Sequence, residues 1–71
     1  MKMNVKRIVA PHALYQTEYD GFVLETLRPG ECCLCLDANV RHKGSGRPMT
    51  KIITVKGAIG FVFSWYLEEV K

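Results

Sequence analysis

The stretch GAIGFVFSWYLEEV, Gly57–Val70, sets Ile59, Phe61 and Phe63 two residues apart, the period of a β-strand. Gly60, Val62 and Ser64 occupy the opposite face. The bulk of the two rings makes theirs the face expected to enter a core. Lys56-Gly57 reads as a tight connection into this strand, with Gly57 able to take the backbone angles of a hairpin. Gly60 lies inside the strand, where a missing side chain marks a bulge, a bend or another backbone passing close. "SWYL" then reads as one 3-10 turn near Ser64–Leu67, with Ser64 able to cap it. "EEV" is a short last strand with Val70 pointing inward.

Upstream, turn signals recur at intervals of about ten residues, the spacing of a small barrel or sandwich. Asp20-Gly21 in "YDGF" is a hairpin signal. Pro29-Gly30 in "LRPGE" suits the two central positions of a turn that needs positive φ at the second. "HKGSGRP" is a loop that Pro48 ends. Between these breaks, "ECCLCLD" puts Cys33 and Cys35 on one face and Cys32, Leu34 and Leu36 on the other. "MTKIITVK" is rich in β-branched residues, and "NVKRIVA" reads as a further strand. "HALYQTEY", behind Pro11, is the one segment expected to form about two turns of helix.

The 71 residues suffice for one domain with a thin core. Apolar residues make up 48% of the chain and charged ones 24%, a balance that excludes a disordered segment. No apolar run approaches the ~20 residues of a membrane helix. The "IVA" of the basic start is too short for a signal sequence. Three clustered cysteines make a poor disulfide framework and point to a reducing, cytoplasmic setting. The net charge is +3, and its placement is uneven. Ala38 to Leu67 contains no Asp or Glu but holds Arg41, Lys43, Arg47, Lys51 and Lys56, which predicts one positive side.

"VKGAIGFVFSWYLEEV" resembles the C-terminal half of bacterial Src-homology-3-like (SH3-like) barrels. There a Gly-x-x-Gly hairpin leads to an aromatic, a Val and a Ser-x-Tyr-Leu turn; here these are Gly57, Gly60, Phe61, Val62, Ser64, Tyr66 and Leu67. "LRPGECCLCLD" is similar to the family's Leu-x-x-Gly segment and following strand through Leu27, Gly30, Cys33 and Cys35. The resemblance spans about Leu27 to Val70. Phe61 stands where bacterial members usually carry Trp. The Asn-Val-Arg-x-Gly-Pro signature of the cell-wall-targeting members is absent, so cell-wall binding is not implied. Stand-alone barrels of bacteria and bacteriophages are the nearest in appearance. The implied architecture is mainly β: one domain over 1–71, built as a small SH3-like barrel of about five short, mostly antiparallel strands. Residues 27–70 would form the core barrel and 1–26 an N-terminal extension with the first strands.

Cys32, Cys33 and Cys35 lack the paired two-to-four-residue spacing of a zinc knuckle and read as a core strand, so no metal or cofactor is expected. "RHKGSGR" is not a Walker loop. His12 and His42 read as isolated surface residues. No nucleophile, base and acid fall in a recognisable arrangement, so an enzyme is not expected. What remains is a surface: Trp65 and Tyr66 with the basic hairpin of Arg41, Lys43 and Arg47, and Lys51 beyond it. That combination predicts a non-catalytic binding or assembly module with a protein or peptide partner. The alternative is a nucleic-acid-binding barrel using the basic 41–56 segment, phosphates on its cations and a base on an aromatic ring. An open barrel of this size also leaves edge strands through which copies of the chain could self-associate.

Overall fold

A computed structural model describes residues 4–19 and 21–70. They form seven strands: β1 Asn4–Ile8, β2 His12–Tyr15, β3 Val23–Leu27, β4 Cys32–Arg41, β5 Pro48–Thr54, β6 Ile59–Phe63 and β7 Leu67–Glu69. A 3-10 turn, Ser64–Tyr66, links the last two. All pairings are antiparallel, in one sheet of order β3-β2-β6-β5-β4-β1-β7. No helix among the described residues is long and apolar enough to cross a membrane.

The mainly β expectation holds, while strand count and closure differ from it. There are seven strands rather than about five, and no ladder joins β3 to β7, so the sheet is not a closed barrel. Contacts outside the ladders brace it instead: the turn after β3 reaches β1, where Gly30 N–H donates to the Ile8 carbonyl and Ile8 N–H to the Glu31 carbonyl, each at 2.8 Å. Glu25 of β3 accepts a hydrogen bond from the Thr54 hydroxyl at 3.2 Å and lies 3.9 Å from the Lys56 ammonium. At the other end Val9 N–H donates to the Tyr66 carbonyl at 3.0 Å. The extra strands come from the N-terminal third. The segment expected to be helical contains β2 instead. Its four strand residues pair with β3, and Tyr15 also pairs with Phe61 of β6, so tertiary pairing overrides a weak local preference.

The turns follow their residues. Gly30 has φ +91° and Glu31 N–H donates to the Arg28 carbonyl, the turn that Pro29-Gly30 calls for. Gly57 has φ +88° between β5 and β6. Asp20 lies outside the described residues, but a hairpin does surround it: Gln16 N–H donates to the Phe22 carbonyl at 2.8 Å. Ser64 begins the 3-10 turn without capping it; its hydroxyl bonds Thr50 Oγ1 at 2.8 Å.

The core gathers Ile8, Leu14, Leu27, Cys33, Ile52 and Val62, with Ala58 and Leu67 packed against it. Burial of each aliphatic side chain contributes about 1.5–3 kcal/mol. Cys33 is in this core as expected; Cys35, on its face, is only half-buried, and Cys32 is exposed.

The phenylalanines are the main correction. Thr50 and Ile52 of β5 face Val62 and Gly60 of β6, and all four are buried; Met49, Lys51 and Ile53 face Phe63, Phe61 and Ile59 on the other side of the sheet. Phe61 and Phe63 are therefore on the outer face, half-buried, and Val62 takes the core position. The cause is Gly60. A methyl group there would lie 2.6 Å from the Tyr15 carbonyl oxygen and 2.8 Å from Leu14 Cγ, so β2 crosses against the small-residue face and leaves no room for rings.

Candidate functional site

The β4–β5 hairpin and the 3-10 turn meet at one corner of the sheet. The hairpin tip is held by its own hydrogen bonds: His42 N–H to the Arg47 carbonyl at 2.9 Å, Gly46 N–H to the His42 carbonyl at 2.8 Å, and Arg41 Nη1 to the Gly46 carbonyl at 3.1 Å. Ser45 N–H donates to His42 Nδ1 at 2.9 Å, and the Ser45 hydroxyl lies 2.8 Å from the same nitrogen. From the β2–β3 loop, the Glu18 carbonyl accepts Lys43 N–H at 2.9 Å and ties the two loops together.

Trp65 sits on the turn with 49% of its surface exposed. Its ring is stacked on Phe63, centroids 4.8 Å apart and planes within 17°. The Arg47 guanidinium carbon lies 5.8 Å from the centre of the indole, within cation–π range. Behind them the rings continue. Phe63 also meets His42 at 5.4 Å, His12 at 5.8 Å and Tyr15 at 6.1 Å, and His12 is stacked on Tyr66 at 3.9 Å. His12 Nε2 accepts the Phe63 backbone N–H at 3.3 Å. Burial among these rings pushes the His12 pKa below its ordinary 6.5.

Of the residues expected to form a surface, Trp65, Tyr66 and Arg47 come together directly. Arg41 and Lys43 flank them on the same hairpin, both exposed. Lys51 stands one same-face row further along β5, roughly 7 Å from Met49 at the usual strand rise, between Asp37 and Phe61. The histidines are a correction. Neither is an isolated surface residue, since both pack against Phe63. His12 and Phe63 belong to opposite ends of the chain, and no local pattern announces their contact. Tyr15 joins the same ring cluster.

The corner thus brings stacked aromatic rings and an arginine together. Burial, reinforced by the neighbouring Cys32 and Cys35, pushes the Cys33 pKa up to about 11, so its thiol keeps its proton at neutral pH. Among the described residues no three His, Cys, Asp or Glu side chains gather where a metal ion could be held. No protein-family model and no curated protein matches the sequence.

Proposed function

We propose that the protein is a non-catalytic binding or assembly module whose working surface is the Trp65–Arg47 corner and whose ligand is a protein or peptide segment. The observation that carries this reading is the exposed indole fixed on Phe63 with a guanidinium beside it. A ring already held in one orientation loses little conformational freedom on binding, and Trp and Arg are the residues around which binding energy concentrates. The short motifs that resemble SH3-like barrels support the same reading, since Gly57, Gly60 and the Ser64–Tyr66 turn are the elements that present Trp65. A protein that works inside the cell fits its three free thiols.

Trp65 is the one tryptophan of the chain, so its fluorescence reports on this corner alone. Peptides selected from a random library on the wild type and counter-selected on Trp65→Ala should shift that emission. They should also bind Arg47→Ala at least about tenfold more weakly, a loss of about 1.4 kcal/mol. If no selected peptide depends on Trp65, the reading fails.

A second reading has its own observation: Arg41, Lys43 and Arg47 share one hairpin tip without an acidic residue, beside a ring able to stack on a base. Here an oligodeoxythymidine is the probe. Three phosphate contacts on a single strand give a log–log salt dependence with a slope of about −2. Absence of binding at low ionic strength removes this reading and leaves the first untouched.

A further inference from the structure

The outer face of the sheet carries an apolar belt that the described residues leave partly open. Val5, Leu34, Ile53 and Ile59 stand opposite one another in a single row across β1, β4, β5 and β6. Along β6 the row continues to Phe61, and from there through Tyr15 to Val23 at the far edge. The sheet is thus apolar on both faces for much of its width, a pattern found where both faces are buried. At the Phe63 end the outer face is closed over, with Met49 fully buried opposite Phe63. Along the rest of the belt Ile59 is 50% exposed, and Val55, at the end of β5, is 74% exposed.

We infer that this belt is a self-association surface, covered by a second copy of the chain related by a two-fold axis. Three observations select that occupant. First, the charges on the belt's own face stand beside opposite charges of the same chain: Arg7 with Glu68 at 3.4 Å, and Lys51 opposite Asp37 across β5 and β4. The border therefore favours neither an acidic nor a basic partner, unlike the corner at Arg47. Second, the face is self-complementary. A groove of about 210 Å³ lined by Val5, Cys32, Leu34, Ile53 and Val55 occupies one end of the row, and Ile59 projects at the other. A two-fold axis near Ile53 sets the Ile59 of each copy toward the groove of the other, as an isologous interface requires. Third, the size fits. Six strands at the usual spacing span roughly 24 Å. On a molecule with 4662 Å² of surface, a face of that span comes within reach of the roughly 500–800 Å² per partner that specific association buries.

Sedimentation velocity over a dilution series tests the inference, with Ile59→Glu as the first variant and Val55→Glu as the second. The wild type should move from 8.1 kDa to twice that mass as concentration rises. Each variant should remain at the monomer mass with an unchanged far-ultraviolet circular dichroism spectrum. Cys32, in the groove wall, supplies an independent readout. Its reaction with a thiol reagent should slow at least about fivefold between dilute and concentrated wild type, by mass action, and not in the variants. Val55→Glu decides alone if Ile59→Glu fails to fold, because Val55 lies in the turn after β5. The inference is overturned if the wild type stays monomeric up to about 1 mM, or if a folded variant dimerises as strongly as the wild type.

Discussion

His12 lies flat on Tyr66, centroids 3.9 Å apart and planes within 9°, although the two come from opposite ends of the chain. The stack joins the start of β2 to the turn that presents Trp65, and it places a titratable ring inside the aromatic cluster.

That placement makes stability depend on pH. The folded His12 pKa lies below the 6.5 of the unfolded chain because burial disfavours the imidazolium. Above 6.5 both states are neutral and the full stability is present. As pH falls below 6.5 the unfolded chain takes up the proton first, so stability declines until the folded pKa is passed. Thermal melting between pH 7.5 and 5 should show a falling midpoint, and His12→Gln should flatten the curve. A wild-type midpoint that is level through this range contradicts the buried stack.

The two faces of β5 and β6 are distinguished by a pair of isoleucines. Ile52 is fully buried opposite Gly60, whereas Ile59 is half exposed on the outer face. Ile52→Ala should lose about 2–5 kcal/mol of unfolding free energy, and Ile59→Ala well under half of that. Denaturant titration of dilute protein measures both, and equal losses would place the core on the wrong face.

At Gly60 even one methyl group is too many. Gly60→Ala brings a Cβ against the Tyr15 carbonyl oxygen and against Leu14, whose side chain is fully buried in the core. Overpacking of this kind costs typically about 1–3 kcal/mol. Gly21, where an added Cβ would meet nothing within 4 Å, should accept Ala with little change in the denaturation midpoint. A Gly60→Ala protein as stable as the wild type would mean that β2 does not cross there.

The three thiols should react in a set order. In dilute native protein Cys32 is exposed and reacts first, while Cys33 is buried with its pKa near 11 and should wait for unfolding. Mass spectrometry of partly alkylated protein assigns the order. Early labelling of Cys33 would dissolve the core as described.

How far the residues announced this arrangement depends on range. Pro29-Gly30, Gly57 and the loop before Pro48 were legible because a turn is set by its own two or three residues. The β5 run was legible from its β-branched residues and the β6 run from its period of two. Which side of β6 faced inward was not, since Ile59, Phe61 and Phe63 alternate with residues that also fit a core. The deciding neighbour, Leu14–Tyr15, lies far away in sequence. β2 was misread for the same reason, its pairing being long-range. At the corner, Trp65 and the basic hairpin could be picked out by type and turn position. The support of Phe63 by His12 and His42 could not.

Finally, β3 reaches the far side of the sheet in two ways: through Glu25, with one hydroxyl and one distant ammonium, and through the turn behind it, where Gly30 N–H donates to the Ile8 carbonyl and Ile8 N–H to the Glu31 carbonyl. The seam is thus clasped by side chains at one end and by backbone at the other. Opening that starts at the Glu25 end, hinged on the β2 pairing, must also break those two backbone bonds before Leu27 and the interior beside it are laid bare.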